Sequence, residues 1–407
     1  FAPDNRWGLF PSVAFAWRIN EEPWLKDSKV LSQLKLRLSY GITGQQNINE
    51  GNYPYLPRYT LSQNNAEYQL GNQFYLTLRP EGYNPKIKWE ETTTYNIGMD
   101  YGFLQNRIYG SLDVYYRKTK DLLNFIPIPA GSNLTNYLLT NIGDLENKGV
   151  EFSIHGVIIS KKDVSWSLGF NVSSNTNKIT KLTATNNPDY LGVETGGISG
   201  GVGNNIQIHS VGYPAYSFFV FQQVYDKNGK PIEGLYVDRN GDGQITNADR
   251  YHYQDPAPKF FFGISSNIRY KNWNFSFAGR ANFGNYVYNN VSSNIGVYRF
   301  LYHPEGPYLG NISTDVTKAG FYNPQYLSDY YIQNASFFRM DNITLSYLFK
   351  NLNNSDKSPI NLGVSFTVNN AFVITNYTGL DPEVSNGIDN NIYPRPRVFV
   401  FGVNLQF

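Results

Sequence analysis

The chain of 407 residues contains no cysteine and no apolar run approaching the length of a membrane-spanning helix. A helix that crosses a bilayer needs about 20 predominantly apolar residues. The sequence therefore excludes a helical membrane protein. The absence of cysteine also excludes a disulfide framework and a thiolate metal site.

Charged residues are scarce as well. Asp, Glu, Lys and Arg make up 16% of the chain, against about 25% in a typical soluble domain. The 34 basic and 32 acidic residues nearly cancel, and no basic stripe stands out along the sequence. Nothing therefore supports a nucleic-acid-binding function.

Aromatic residues, by contrast, are abundant. They make up 16% of the chain, with 33 Tyr and 27 Phe, and rows of aromatic side chains at both interfaces are typical of membrane β-barrels. The mean hydropathy is nevertheless only −0.42. A closed β-barrel is the one structure that carries such a polar chain across a bilayer, because it pairs every backbone group internally.

The last thirteen residues, Arg395–Phe407, alternate with the period of two that is typical of a β-strand. One face carries Phe399, Phe401, Val403, Leu405 and Phe407, and the other carries Val400, Gly402, Asn404 and Gln406. This pattern suits a barrel wall with lipid outside and water inside, although a soluble β-sandwich also alternates. The terminal Phe favours the barrel, since a strand that ends the chain on an aromatic residue resembles the closing strand of bacterial outer-membrane proteins.

The same period recurs along the chain and predicts thirteen strands. They are Trp7–Asn20, Leu34–Ile42, Trp89–Phe103, Arg107–Lys118, Gly149–Ile158, Val164–Asn177, Asn204–Val211, Tyr216–Tyr225, Phe260–Tyr270, Trp273–Gly284, Ser336–Phe349, Ile360–Asn370 and Arg395–Phe407. Residues 21–33 are expected to form a short helical connector, and long loops are expected at 44–86, 119–148, 226–259 and 285–334. Short turns and long loops alternate, as in outer-membrane barrels. The fold class predicted is all-β: an antiparallel transmembrane β-barrel in the bacterial outer membrane.

The parity of these strands leads to an expectation about the whole barrel. With short turns in the periplasm and long loops outside, the first and the thirteenth strand both run towards the periplasm. A closed, even-stranded barrel with both ends in the periplasm cannot begin on such a strand. We therefore expect residues 1–407 to be the C-terminal part of one barrel, with the first strands and an N-terminal plug absent.

Several motifs, in this order along the chain, resemble the SusC/RagA family of TonB-dependent transporters. They are Arg6–Val13 (RWGLFPSV), Leu34–Arg37 with Ser39–Gly44, Asp113–Tyr116 with Thr119 and Asp121–Leu123, Asn141–Gly143 with Asn147–Gly149, Asp238–Gly243, and Gly379–Glu383 (GLDPE) with Tyr393–Arg395. The similarity runs from about Arg6 to Phe407, which is nearly the whole chain.

The resemblance implies a barrel of about 22 strands that also carries a plug and a TonB box. Nine of the strands (22 − 13), the plug and the TonB box are expected to be absent from residues 1–407. It implies a SusD-like surface lipoprotein over the outer mouth. It also implies import of oligosaccharides or oligopeptides, driven by the TonB–ExbB–ExbD complex. Two alternatives stay open: a passive porin or adhesin-type barrel without energy coupling, and a barrel enzyme with a Ser/His/acid cluster at one rim. A plug and a TonB box would argue against the first.

The clearest local motif is the twelve-residue stretch Asp238–Asp249 (DRNGDGQITNAD), which matches the pattern of a Ca²⁺-binding loop. The predicted ligands are the side chains of Asp238, Asn240 and Asp242, the carbonyl of Gln244, Thr246 directly or through water, and Asp249. Asp at the twelfth position is shorter than the usual Glu, and a turn of Asx and Gly residues that needs no metal is the alternative. We expect a structural Ca²⁺ ion that orders an external loop.

The four histidines do not indicate an enzyme. They are His155, His209, His252 and His303. No two of them have a metal-ligand spacing, and no nucleophile-elbow motif is present, although catalytic triads assemble in space rather than in sequence. We therefore predict no catalytic site.

Aromatic side chains in the loops are the remaining candidates for ligand contact. Tyr53, Tyr55 and Tyr59 suit stacking on sugar rings or contact with peptide side chains, and they suit packing within the loops equally well. Aromatic residues on the outer face, such as Phe399 and Phe401, are expected to contact membrane lipid. The sequence assigns no substrate-binding residue.

Overall fold

The structure is a computed structural model that describes residues 1–48, 53–62, 66–128, 131–183, 190–302, 304–353, 359–390 and 392–407. Its largest element is one antiparallel sheet of eleven strands, called the wall below. In chain order the strands are β1 (Ser12–Arg18), β2 (Leu31–Gln45), β3 (Glu90–Phe103), β4 (Ile108–Pro127), β5 (Tyr137–Ser160), β6 (Val164–Lys181), β7 (Phe260–Tyr270), β8 (Trp273–Phe283), β9 (Phe337–Phe349), β10 (Asn361–Thr375) and β11 (Val398–Gln406). Each wall strand pairs with its neighbours in the chain, and β1 and β11 lie at the two edges.

The register of the wall strands aligns their apolar side chains in continuous rows. One row contains Phe15, Leu38, Ile97, Val114 and Val150, and another contains Phe275, Leu345, Phe366 and Phe401. Within the described ranges these rows stay uncovered, since Ile97 is 58% exposed and Phe401 is 72% exposed. A two-layer sandwich would bury this face. The uncovered face confirms the predicted lipid-facing wall.

A row of tyrosines marks the outer limit of the apolar face. Tyr40, Tyr95 and Tyr116 are paired in register across β2, β3 and β4, with ring centroids 5.1 and 6.3 Å apart. Lys148 follows on β5, with its Nζ 5.3 Å from the Tyr116 ring. The segment of β4 below this row, residues 108–116, has about the length of strand that crosses a bilayer.

Beyond the tyrosine row, β4 and β5 continue as one long hairpin. The two strands contain 20 and 24 residues, and only residues 128–136 connect them. The prediction of a loop at 119–148 is therefore wrong. The prediction failed because the β4–β5 pairing contains two register shifts between Thr119 and Leu123. Such a bulge breaks the two-residue period by which a strand is found in a sequence.

Two predicted wall strands lie outside the wall. Asn204–Val211 and Tyr216–Tyr225 contain the short strands Asn205–His209, Ser217–Val220 and Gln223–Tyr225. Consecutive residues in the first two strands are buried, so that neither face is left for lipid. The wall therefore has eleven strands rather than thirteen.

The long connections contain further elements. Two hairpins, Arg58–Leu61 with Leu78–Glu81 and Glu67–Leu70 with Gln73–Leu76, lie between β2 and β3. A four-stranded sheet contains Val193–Gly197, Asn205–His209, Ser217–Val220 and Tyr251–His252; Gln223–Tyr225 pairs with Pro231–Tyr236; and a three-stranded sheet contains Ile332–Asn334, Tyr286–Asn289 and Ile388–Asp389. The helices are α1 (Asn290–Ile295) and α2 (Val316–Ala319), and 3-10 turns span Pro3–Asn5, Ile19–Glu21, Asn247–Asp249, Tyr298–Phe300 and Asp329–Tyr331. The helical connector predicted at 21–33 is therefore wrong: turns fill this short path.

Three of the long connections pack together into what we call the loop body, formed by residues 190–259, 284–302, 304–336 and 376–390. Its core contains Ile206, Phe218, Val220, Tyr288, Val297, Ala319, Phe321, Tyr331, Ile332 and Ile388. Backbone hydrogen bonds join it to the wall at the end of β6, where the Gly212 amide donates to the Ile179 carbonyl at 2.8 Å. The loop body thus lies at the end of the wall that carries the long connections.

Candidate functional site

The inner face of the wall carries charged side chains that pair across three strands. Arg37 on β2 lies 2.9 Å from Asp100 on β3 and 2.8 Å from Asp113 on β4. Lys35 lies 3.7 Å from Asp100, and the amide of Asn96 donates to Asp113 at 3.1 Å. These groups lie on the face opposite the apolar rows, as the alternation predicted. The inner surface is therefore hydrophilic and suits the passage of polar solutes.

At the outer end, a half-buried carboxylate joins several segments of the loop body. Asp329 accepts hydrogen bonds from the Gln223 amide at 3.0 Å and from the Tyr251 hydroxyl at 2.7 Å. Burial raises the pKa of Asp329 above its usual value, and the two donors offset part of that effect. Burial likewise raises the pKa of Tyr225 to about 12. This polar corner fixes the mutual positions of the segments around 223, 251 and 329.

Six charged residues hold the connection between β10 and β11 against the inner wall. We call this set the charge cluster: Arg280, Arg339, Arg395, Asp341, Asp381 and Glu383. Arg280 on β8 and Arg339 on β9 lie directly opposite each other, an arrangement that is repulsive for like charges. Arg339 lies 2.6 Å from Asp381, with their side chains only 3% and 6% exposed. Arg280 lies 2.8 Å from Glu383.

The remaining contacts complete the neutralisation of the charge cluster. Asp341, on the wall itself, lies 3.0 Å from Arg280, and Arg395 lies 3.3 Å from Asp381. Three positive and three negative side chains therefore balance. The GLDPE and YPR motifs of the sequence supply two of the carboxylates and one of the arginines. Sequence reasoning noticed these motifs only as a resemblance and did not predict their pairing.

The predicted calcium loop closes through hydrogen bonds to its own amides. Asp238 accepts from the Gly241 and Gly243 amides at 2.7 and 2.8 Å, and Asp242 accepts from the Gln244 amide at 2.8 Å. The Asn240 side chain donates to Asp242 at 3.0 Å. The six predicted ligands are thus adjacent in one compact turn. The side-chain oxygens of Asp238, Asn240 and Asp242 accept hydrogen bonds from backbone amides of this turn.

Asp249 closes this turn from a buried position. Its two oxygens accept hydrogen bonds from the amides of Arg239 and Thr246, both at 2.8 Å, and these bonds hold the pKa of Asp249 below its usual value, with the Thr246 amide as the main cause. The Thr246 side chain forms a capping box with Asp249. In the part of the chain that the structure describes, no three His, Cys, Asp or Glu residues are grouped to hold a metal ion. The calcium assignment stays a prediction.

The histidines lie in different environments. His252, on the four-stranded sheet, stacks on Tyr213 with ring centroids 3.6 Å apart, and His209 contacts Tyr216 at 4.6 Å. Burial lowers the pKa of both histidines. On the inner wall His155 stacks on a tyrosine, while His303 lies outside the described residues. Aromatic stacking accounts for these three histidines.

The loop tyrosines considered for ligand stacking separate into two groups. Tyr53 and Tyr55 pack edge to face at 6.2 Å, and Arg6 donates to the Tyr55 hydroxyl at 3.3 Å. Tyr59 lies in the first hairpin strand after β2 and is 60% exposed. The first two are therefore accounted for by local packing, and Tyr59 is not.

None of the helices in the described ranges combines the length and the apolar character that crossing a membrane requires.

Comparison with known proteins gives a consistent result. Residues 1–308 match the family model described as TonB dependent receptor-like, beta-barrel. The chain is 49% identical over 410 residues to the TonB-dependent receptor SusC of Bacteroides thetaiotaomicron, with 100% of this chain and 41% of the relative covered. It is 30% identical over 442 residues to the TonB-dependent receptor P26 of Formosa agariphila, covering 100% of this chain and 43% of the relative.

Solved structures agree with these sequence relatives. The RagAB peptide transporter is similar with a TM-score of 0.78 and 25% identity, covering 100% of this chain and 44% of the matched chain. The RagAB peptide importer in its closed-closed state is similar with a TM-score of 0.76 and 26% identity, at the same coverage. The present chain thus spans about two fifths of the length of the curated relatives it matches.

Proposed function

Because the chain belongs to the SusC/RagA family of TonB-dependent outer-membrane receptors, we propose that it is part of an active transporter that imports oligosaccharides or oligopeptides. The observation that carries the proposal is the wall, which is apolar and uncovered on one face and charged on the other. The family is a transporter family and not an enzyme class. Its place is the outer membrane.

The proposal includes two protein partners. A SusD-like surface lipoprotein would cover the outer mouth beside the loop body, and the TonB–ExbB–ExbD complex would supply energy through a plug and TonB box elsewhere in the full-length protein. Support comes from the relatives, which are described as TonB-dependent receptors. Further support comes from the RagAB importer, which is described in closed-closed and open-open states.

Uptake by cells that contain the full-length protein tests this proposal. Labelled oligosaccharides and oligopeptides of matched size are supplied with and without a protonophore, and a strain without the protein is the control. We expect saturable uptake of one class that stops when the proton gradient collapses. Uptake that continues after the collapse would replace the proposal with the passive porin, and hydrolysis without uptake would replace it with a barrel enzyme.

A bound calcium ion is a second, separate proposal. Carboxylate and carbonyl oxygens are the ligands that Ca²⁺ prefers, and a carboxylate oxygen that accepts one amide retains a free lone pair for an ion. The residues that would hold the ion are Asp238, Asn240, Asp242, Gln244, Thr246 and Asp249. The ion would order the external loop at 226–259 and take no part in transport chemistry.

Calorimetric titration of the full-length protein with Ca²⁺ tests the calcium proposal. We expect Asp242→Ala to weaken binding at least tenfold. Asp226→Ala is the matched control, since Asp226 also accepts backbone amides in an exposed turn of the same loop but lies outside the motif. An unchanged titration for Asp242→Ala, or no binding by the unsubstituted protein, would remove the assignment.

A further inference from the structure

A groove of about 650 Å³ lies on the lipid-facing side of the wall, at the level of the tyrosine row. Its lower part is apolar, because Ile97, Val114 and Val150 are paired in register across three strands. Tyr95 and Tyr116 of the tyrosine row border its upper part. The groove therefore suits an acyl chain whose head group lies at the membrane surface.

The side of the groove that β6 forms is polar instead. Ser174 lies beside Val150 in the register, Thr176 follows two residues later on the same face, and both line the groove. We call these two residues the groove hydroxyls. Within the ranges that the structure describes, neither has a hydrogen-bond partner for its side chain.

Unpaired hydroxyls are unfavourable where lipid tails are the neighbours. A polar group without a partner in apolar surroundings costs about 1–3 kcal/mol. Elsewhere on the lipid-facing side such a group is paired, since the Trp166 indole donates to the Ser266 hydroxyl at 3.0 Å. The groove hydroxyls therefore indicate a ligand that supplies polar atoms at this level.

Three lysines, which we call the groove lysines, surround the upper end of the groove. Lys148 lies at the tyrosine row with its Nζ 5.3 Å from the Tyr116 ring, and its side chain is 68% exposed. Lys118 and Lys178 lie one row further out, on either side of Glu146 in the register. At about 3.3 Å per residue and a strand tilt of about 45°, this row is roughly 5 Å above the tyrosine row. The groove lysines therefore lie at the level of lipid head groups.

The chain neutralises the groove lysines only in part. Lys148 is 4.0 Å from Glu146. Among the described residues, neither Lys118 nor Lys178 has a carboxylate within ion-pair distance. Three positive side chains and one negative side chain therefore leave a net charge of +2 at the upper end of the groove.

One phosphate group matches this charge. A phosphate monoester carries about −1.5 to −2 at neutral pH, and lysine ammonium groups donate strong hydrogen bonds to its oxygens. The charged side chains of the next row, Lys120 and Glu91, lie opposite each other and balance in sign. A lipid with a phosphate-bearing head group therefore complements the groove lysines, while its acyl chain complements the apolar part of the groove.

We propose that the groove binds one phosphorylated glycolipid of the outer leaflet. The groove lysines hold its phosphate, the groove hydroxyls contact its sugar ring, and an acyl chain lies along Ile97, Val114 and Val150. A sugar is the head group that the groove hydroxyls favour, because it offers several hydrogen-bond acceptors where the acyl chains are attached. The site lies on the outside of the wall and is separate from the transport path.

Native mass spectrometry of the full-length protein in detergent tests the site. The protein is titrated with lipid A, which is a phosphorylated glycolipid, with lipid A after removal of its phosphate, and with phosphatidylglycerol. We expect the unsubstituted protein to retain one lipid A molecule. Removal of the phosphate, or K148Q/K178Q in the protein, should raise the dissociation constant at least tenfold, and S174V/T176V should raise it at least threefold.

The matched control is K161Q/K162Q, which removes two exposed lysines from the turn at the other end of the β5–β6 pair. It should leave lipid A binding unchanged. Equal weakening by K161Q/K162Q and K148Q/K178Q, or no retained lipid A, would overturn the site. Phosphatidylglycerol binding as tight as that of lipid A, or unchanged lipid A binding by S174V/T176V, would overturn the glycolipid as its occupant. Normal heat-modifiability on gels shows that each variant has assembled.

Discussion

Asp381→Ala will detach the connection between β10 and β11 from the inner wall. The Asp381 side chain is 6% exposed and lies 2.6 Å from the equally buried guanidinium of Arg339. It also accepts the backbone amide of Glu383 at 2.9 Å. The substitution therefore leaves one cation and one amide without their main acceptor in a site that water scarcely reaches.

The magnitude follows from the burial of the pair. Removing one member of a buried ion pair costs about 3–5 kcal/mol, mostly because the other charge stays buried alone. Arg339 keeps a hydrogen bond to Asn370 at 2.7 Å and a longer contact with Glu383 at 3.5 Å, so we expect the lower end, about 3 kcal/mol. At about 1.4 kcal/mol per factor of ten, local opening becomes roughly a hundredfold more frequent.

Amide hydrogen exchange of the full-length protein in detergent measures this opening. Protection of residues 376–390 and 392–397 should fall by about two decades, while the wall strands β2 to β6 keep theirs. Asp381→Asn, which retains an acceptor without the charge, should give an intermediate loss. Glu21→Ala is the control, because the Arg18–Glu21 pair is 69% and 58% exposed and such pairs contribute at most about 1 kcal/mol. Equal protection in Asp381→Ala and Glu21→Ala would refute the reasoning.

Acidification should loosen the loop body, because burial lowers the pKa of His209 and His252. The stability that these two histidines contribute is fully present above the ordinary histidine pKa of about 6.5, and it declines as the pH falls through that value. Exchange at pH 7.5 and 5, corrected for intrinsic rates, should show this in residues 205–220, and less so in His252→Phe. Phe401→Arg should cost about 2–4 kcal/mol in urea refolding into vesicles, with Asn404→Arg on the inner face nearly neutral; equal costs would contradict the assigned faces. Phe218→Ala should destabilise the loop body by about 3–5 kcal/mol. Exchange protection should fall within the loop body alone, and a loss of protection throughout the wall would contradict this prediction.

The sequence predicts best the wall strands that face lipid on one side and are joined by a tight turn. Phe260–Tyr270 is predicted and observed with identical limits, and the next strand differs by one residue at its end. Lipid contact imposes a strict two-residue period, since every second side chain must be apolar. The two-residue turn between these strands then fixes where each one ends.

The strands of the loop body show why the same reasoning fails there. Ile206 and Ile208 flank Gln207, which reads as an alternating wall strand. The Gln207 side chain is nevertheless buried and donates to the carbonyl of Asn386 at 2.9 Å, a partner 179 residues away. A polar residue between two apolar ones therefore indicates either a wet lumen or a distant hydrogen-bond acceptor, and the local sequence does not distinguish the two.

The charge cluster was unpredictable for a related reason. Arg280 and Glu383 are 103 residues apart, and Arg339 and Asp381 are 42 residues apart. Each wall arginine looks like an ordinary inward polar residue when its strand is read alone. The informative signal is the pairing of two like charges in neighbouring strands, which appears only once the register is known.

The opposition of Arg280 and Arg339 makes the seam between β8 and β9 depend on the connection that follows β10. Without Asp381 and Glu383, the two guanidinium groups would keep Asp341 as their carboxylate partner and the side chain of Asn370 as a neutral acceptor. The neutralisation of two neighbouring wall strands is therefore completed by a residue 42 positions further along the chain than Arg339.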